Sequence, residues 1–174
     1  MLFFGSPDHL PNQDALVWLA TDLWPRISAR VADARCVVTG GARSGKLLDL
    51  LAAAGIENKG FVPDLQAELA AAAVVVAPVR SGRGVRIKNL DTLSAGRPLV
   101  TTRLGARGLD LQDAEHAMIA DGTSDFSDAV VKVLHDPALA ARLGTAGRDH
   151  VIRTFTHEAA ALSNLDLWKK LAAG

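Results

Sequence analysis

The chain has one cysteine, no net charge and no long apolar run. A single cysteine, Cys36, excludes an internal disulfide and a cysteine cluster for zinc, and its place in an apolar segment assigns it to buried strand packing. Nineteen basic residues balance nineteen acidic ones, so whole-chain electrostatics gives no reason to bind nucleic acid or an anionic membrane surface. No stretch of about 18 apolar residues exists, and the start MLFFGSPDHL lacks the charged head and long apolar middle of a secretory signal. The expectation is a cytoplasmic domain with no nucleic-acid partner and no direct membrane insertion, peripheral at the inner membrane only through a further domain. Repeats, low-complexity tracts and linkers are also missing, and 174 residues that are 49% hydrophobic suffice for one core.

What is present is an alternation. Short β-branched runs at 2–5, 35–40, 56–62, 74–79, 98–102 and 116–120 are separated by stretches of helical period at 12–31, 44–54, 64–71, 85–95 and 124–134. Such βαβ units predict a three-layer Rossmann-like α/β fold, a six-stranded parallel sheet with helices on both faces and right-handed crossovers. Two consecutive helices, 137–154 and 157–172, close the chain. The last carries Leu162, Leu165 and Trp168 as an apolar stripe, expected to pack on the domain's own sheet, with docking on a neighbouring domain as the alternative.

Ligands of doubly wound sheets bind beyond the carboxyl ends of the strands, where four loops carry glycine and three of them carry candidate chemistry. In the first, Gly5 permits close backbone approach and Asn12 is a candidate helix cap. In the second, Gly40, Gly45 and Lys46 have the spacing of a phosphate-binding P-loop. Leu47 stands where that motif needs Ser or Thr for magnesium, so a glycine-rich strand-to-helix turn is expected instead.

The third loop carries the most chemistry. Between Arg80 and Asp110, seven basic residues (Arg80, Arg83, Arg86, Lys88, Arg97, Arg103, Arg107) are opposed only by Asp91 and Asp110. A local cationic patch on a neutral chain suits a small anionic ligand better than a polyanion. Gly82 and Gly84 precede a helix whose free N–H groups and dipole favour a phosphate. Lys88 and Asp91 share a helical face, with Ile87, Leu90 and Leu93 turned to the sheet. The lysine can neutralise a diphosphate and the aspartate accept from ribose hydroxyls. The alternative is a surface Lys88–Asp91 ion pair worth about 0.3–0.5 kcal/mol. His116, His135, His150 and His157 have no metal-binding spacing.

Several fragments then fall into a familiar order. Gly60-Phe61-Val62-Pro63-Asp64 is similar to a "G-x-V-x-D" strand end, Ala73 to Pro78 to an "A-D-V-x-V-x-P" strand, and Ala95 to Val100 to an "A-x-G-x-P-V-V" segment. Asp136-Pro137, Leu143-Gly144 and Ala146-Gly147-Arg148 match a closing "D-P … L-G … A-R" helix. Over essentially the whole chain these resemble the C-terminal domain of group 1 retaining glycosyltransferases, the glycogen-synthase-like superfamily in its bacterial exopolysaccharide type.

The resemblance implies one half of a GT-B fold, with residues 1–174 a single donor-binding domain and an N-terminal acceptor-binding domain outside this chain. It implies a UDP- or GDP-sugar donor, transfer with retained configuration in polysaccharide or glycoconjugate synthesis, no metal or other cofactor, and an isolated chain that does not catalyse transfer. The implied donor site comprises Gly5, Ser6, Gly40, Phe61, Val62, Gly84, Val85, Arg86, Lys88 and Asp91. The backbone N–H groups of Gly84, Val85 and Arg86 would join Lys88 on the diphosphate, Asp91 the ribose, and the base would lie against Gly60 to Val62. Asp91 stands at the family's second glutamate. Arg83 stands at the first, a charge reversal, and no basic pair follows Gly5, where Ser6, Asp8 and His9 occur. Arg83 and Lys88 are then the candidate catalytic residues, acting by electrostatic support of the leaving diphosphate. A non-catalytic scaffold or partner-binding domain of the same fold is the alternative, and a flavodoxin- or receiver-like domain is a third, opposed by six strands and two closing helices.

Overall fold

The structure, a computed structural model, describes residues 1–41 and 45–156. Its six strands are β1 Leu2–Phe4, β2 Val37–Thr39, β3 Glu57–Gly60, β4 Val75–Ala77, β5 Leu99–Thr101 and β6 Met118–Ile119, paired in parallel in the order β3-β2-β1-β4-β5-β6. Each expected strand is present and shorter than its apolar run. β1 and β2 stop before glycines with positive φ, Gly5 (126°) and Gly40 (130°), and β3 ends on Gly60 (65°), where the register with β2 shifts. Strand order reverses between β1 and β4, which opens a crevice at their carboxyl ends.

Alternation along the strands buries apolar side chains on both faces, in a first, largest core and two smaller ones, one of which gathers Ala77, Val79 and Leu99 with Leu93. Phe3, Val38, Val76 and Val100 face one side, and Leu2, Phe4 and Val75 meet helix α4 (Leu65–Ala71) on the other. Asp64 caps α4, its carboxylate accepting from the Ala67 N–H at 3.0 Å. Cys36 is buried in the first core, and burial pushes its thiol up to about 12, so it packs as an inert side chain.

The helix expected over 12–31 is interrupted. It runs as α1 Leu10–Trp18, a π-helical turn Leu19–Leu23, and α2 Trp24–Ser28. Pro25 lacks an N–H and its ring would collide with a carbonyl of the preceding turn, and widening that turn removes both conflicts. Two indoles anchor the segment. Trp18 Nε1 donates to Thr123 Oγ1 (3.1 Å) and Trp24 Nε1 to the carbonyl of Ala54 (3.0 Å), at the end of α3 (Gly45–Ala53).

Helix α5 (Ile87–Ser94) ends where Gly96 takes φ 66°; the Gly96 N–H bonds Leu93 O and the Arg97 N–H bonds Thr92 O, a Schellman closure. A four-residue helix, α6 (Arg103–Ala106), was not expected, being too short to show a period; Thr102 caps it by accepting from the Gly105 N–H. Then follow α7 (Thr123–His135) and α8 (Pro137–Phe155), the latter capped by Asp136. Gly144 and Gly147 of α8 lie against the backbone of Gly96 and the side chain of Leu93, so α8 rests directly on α5. The helix expected at 157–172, with Leu162, Leu165 and Trp168, lies outside the described residues.

The sheet's edges are β3 and β6. On β3, Glu57 and Lys59 are exposed, and Lys59 pairs with Glu68 of α4 at 2.9 Å. On β6, which is two residues long, the Ile119 N–H donates to Asp113 Oδ1 at 2.7 Å.

His116 and His150 are both buried and stack with centroids 4.3 Å apart. His150 Nε2 donates to Leu109 O (2.8 Å), whereas His116 Nδ1 accepts from the Gln112 N–H (3.1 Å), so that nitrogen is unprotonated. Burial, then the neighbouring His150, lower the His116 pKa; Arg153 acts in the same sense, Glu115 and Asp110 in the opposite one. A depressed folded-state pKa means that this contribution to stability is present above the unfolded value near 6.5 and lost as the pH falls through the lower folded value. Thermal unfolding is therefore expected at a lower temperature at pH 5 than at pH 7.5. His116→Gln should narrow that difference, and an unchanged difference would remove the pair as its source.

Candidate functional site

The carboxyl ends of β1, β2 and β3 are laced together through backbone. The Gly5 N–H bonds Thr39 O (3.1 Å), the Gly40 N–H bonds Gly60 O (2.7 Å), and a Cβ on Gly40 would stand 2.4 Å from Gly5 O. Only glycine fits at position 40, through both its φ and this approach.

Over this platform lies Lys88, reaching across from α5. Its Nζ donates to Asn12 Oδ1 at 2.8 Å, Asn12 Nδ2 donates to Ser6 O at 2.8 Å, and the ammonium sits 4.3 Å from the centre of the Phe3 ring. Burial, with Arg86 adding, lowers its pKa to about 8. Two expectations are corrected here. Lys88 forms no ion pair with Asp91, because its side chain is committed to Asn12 and Phe3. Asn12 is not a cap, since α1 begins at Leu10 with His9 as its exposed N-cap, and the Asn12 side chain instead joins the first loop to Lys88. Asp91, one turn beyond Lys88, is half-buried, burial raises its carboxyl pKa, and among the described residues its carboxylate has no bonding partner.

The helix terminus itself is displaced from the expected position. Gly82 (φ 100°) and Gly84 (φ 83°) keep the chain out of helix, Arg86 is the N-cap, and α5 starts at Ile87. Gly84 and Val85 therefore belong to the preceding loop, and the positive end of the dipole sits at Arg86 and Ile87. Ile87 is 70% exposed, not turned to the sheet, because the first helical residue projects past the strand ends; Leu90 is half-buried, and the sheet side is formed by Asn89, Thr92 and Leu93.

The cationic patch divides by partner. Arg80 holds Asp14 through two bonds (2.6 and 3.2 Å) and covers the Trp18 ring, Arg86 donates to Ser81 O (3.0 Å), and Arg103 pairs with Asp121 (3.1 Å). Arg97 precedes β5, at the opposite end of the sheet from the crevice. Arg83 and Arg107 remain. They line one pocket of about 400 Å³ with Gly84, Val85 and Gly108, and among the described residues neither has a hydrogen-bond or ion-pair partner. At the other flank, Phe61 is 82% exposed beside Gly41, and Val62 is half-buried.

Sequence reasoning missed Asn89. It is fully buried, donating from Nδ2 to Gly105 O (2.9 Å) and Thr101 Oγ1 (3.3 Å), which ties α5 to α6 and β5. A polar residue four before Leu93, in helical phase with it, was the available sign. Among the described residues, no group of three or more His, Cys, Asp or Glu is arranged to hold a metal ion, and no helix is long and apolar enough to cross a membrane.

A sequence profile for group 1 glycosyl transferases matches residues 1–136. The chain belongs to this family. A protein of the cps region of Klebsiella pneumoniae, named only as uncharacterised, is 24% identical over 139 residues, covering 75% of this chain and 36% of its own length. TarM of S. aureus, in a crystal structure with UDP, superposes with a TM-score of 0.79 at 16% identity over 95% of this chain and 35% of TarM. The C-terminal domain of the group 1 glycosyl transferase LpcC from Francisella tularensis gives 0.73 at 16% identity, over 90% of this chain and 86% of that domain. The chain thus has the Rossmann-like architecture of one GT-B domain, and it spans 36% and 38% of the curated relatives it matches.

Proposed function

We propose that this group 1 glycosyl transferase domain is the donor half of a retaining enzyme of polysaccharide or glycoconjugate synthesis, holding a nucleoside-diphosphate sugar in the crevice between β1 and β4. The observation that carries the reading is the convergence of Lys88, Gly5, Ser6 and Gly40 with the α5 terminus at the point where strand order reverses. In this arrangement Lys88 and the amides at Arg86 and Ile87 face the diphosphate, Asp91 accepts from the ribose, and exposed Phe61 with Val62 offers an apolar surface to the base. Gly84 and Val85 place Arg83 on the sugar side, where it supports charge on the departing diphosphate without proton transfer. UDP in the TarM crystal and the greater length of the relatives support a nucleotide donor and an acceptor-binding domain N-terminal to this one. The isolated chain, lacking acceptor contacts, would bind and not transfer, with no metal required.

The folded domain should bind UDP or GDP in calorimetric titration. Asp91→Ala should weaken that binding about tenfold or more, the scale of a hydrogen bond to a charged group. No binding of either nucleotide at millimolar concentration would overturn the reading, and unchanged affinity in Asp91→Ala would remove Asp91 from it. Arg83, a reversed charge where the family carries glutamate, favours the second reading of a non-catalytic scaffold. Sugar transfer by the full-length protein would dispose of that.

A further inference from the structure

Arg83 and Arg107 come from loops 24 positions apart in sequence and open onto the same pocket. The backbone fixes how their loops meet. Gly108 has φ 79°, and a Cβ there would lie 3.0 Å from Val85 Cγ2, so the loop after β4 and the loop after α6 are in contact where Val85 meets Gly108. The pocket's lining contains no carboxylate; Asp14 is engaged by Arg80, Asp121 by Arg103 and Asp113 by the Ile119 N–H, while Asp110 lines the adjoining cavity beyond Arg107 and Gly108 and is not part of this one. Two guanidinium groups held at one opening repel each other unless an anion lies between them. Planar guanidinium forks match the geometry of a carboxylate.

A diphosphate at the α5 terminus already has Lys88 and the helix dipole, and Arg107 is positive charge beyond that. Resting on the donor reading, we infer that the Arg83–Arg107 pocket receives the donor's sugar and selects an acidic one, a hexuronic acid whose carboxylate is held by Arg107 with Arg83 beside it. Val85, half exposed on the pocket wall, supplies an apolar face for the sugar ring.

Calorimetric titration of the full chain with UDP, UDP-glucose and UDP-glucuronate, and in parallel GDP, GDP-mannose and GDP-mannuronate, tests this. The uronate donor of the preferred base is expected to bind about tenfold more tightly than its neutral counterpart, the scale of one charge-assisted hydrogen bond. Arg107→Gln should bring that ratio close to one and change affinity for the bare nucleotide less than about twofold. Binding of the nucleotide with no preference for the uronate would overturn the inference and leave the donor reading intact. The inference also fails if Arg107→Gln weakens the bare nucleotide as much as the uronate, which would assign Arg107 to the diphosphate. Arg107-dependent binding of methyl glucuronoside to the nucleotide-saturated domain, without a donor preference, would overturn it by giving the carboxylate to the acceptor. Failure of every nucleotide to bind overturns the donor reading, and this inference with it.

Discussion

Replacing Lys88 by methionine is expected to weaken nucleoside diphosphate binding at least tenfold while leaving the free domain as stable as before, or more so. The two effects have one origin. Burial lowers the pKa of this ammonium to about 8, so at pH 7 the folded domain holds a charge that water would solvate better. A diphosphate supplies the missing counter-charge; without it, an unbranched apolar side chain of similar length suits the site better. Since the folded pKa lies below the unfolded value of 10.5, the penalty is fully present below about 8 and disappears as the pH rises past 10.5. The stability gain of Lys88→Met should therefore be largest near neutrality. Against it stand the lost contact with the Phe3 ring, worth about 0.5–2 kcal/mol, and the lost bond to Asn12, which is half exposed and can turn to water. Calorimetry with UDP and GDP, and thermal unfolding at pH 7 and 10, measure both sides. Preserved affinity in a folded variant would take Lys88 out of the diphosphate site. Binding should also raise the lysine's pKa, visible as proton uptake near pH 8 when titrations are repeated in buffers of different ionisation enthalpy.

Gly144→Ala is expected to destabilise the domain by about 3 kcal/mol, which for a domain of this size is a fall in melting temperature of roughly 6–12 °C. The added methyl would lie 2.2 Å from Gly96 O and 3.0 Å from its carbonyl carbon. Neither atom can yield easily, because Gly96 closes α5 in the left-handed conformation, with its own N–H and that of Arg97 both bonded back into the helix. Helix α8 would have to lift. That would loosen the seat of Gly147, where a Cβ would already be 2.6 Å from Leu93 Cδ2, and of the buried Leu143 and Val151. Thr145→Ala, one residue on and exposed, is the control and should stay within about 0.5 kcal/mol. A melting temperature within about 2 °C of the parent for Gly144→Ala would show that α8 does not bear on the Gly96 turn as described.

Sequence reading reached the sheet more surely than the site. Strands such as Val74–Val79 announce themselves because a buried parallel strand is apolar on both faces and needs no partner to be recognised. The 12–31 segment reads as one helix because its period runs through Pro25, whereas whether a proline ends a helix or widens the turn before it is decided by packing that no local pattern contains. Helical phase placed Lys88 and Asp91 on one face and could not say which neighbour that face meets; Asn12 is 76 residues away. Nor could spacing set Arg107 opposite Arg83, since their meeting depends on two loops touching at Val85 and Gly108. The Leu143-Gly144 and Ala146-Gly147 pairs were legible only by resemblance. The structure supplies their reason, a helix laid against backbone.

The charged β3 and the two-residue β6 bear on how this domain behaves in a crowded solution. Strand-to-strand accretion, the usual route from a parallel sheet to aggregate, needs a free row of amides and an unobstructed apolar margin. Exposed Glu57 and Lys59 obstruct one margin, and on the other the Ile119 amide is already occupied by Asp113. The sheet is thereby protected against growing sideways.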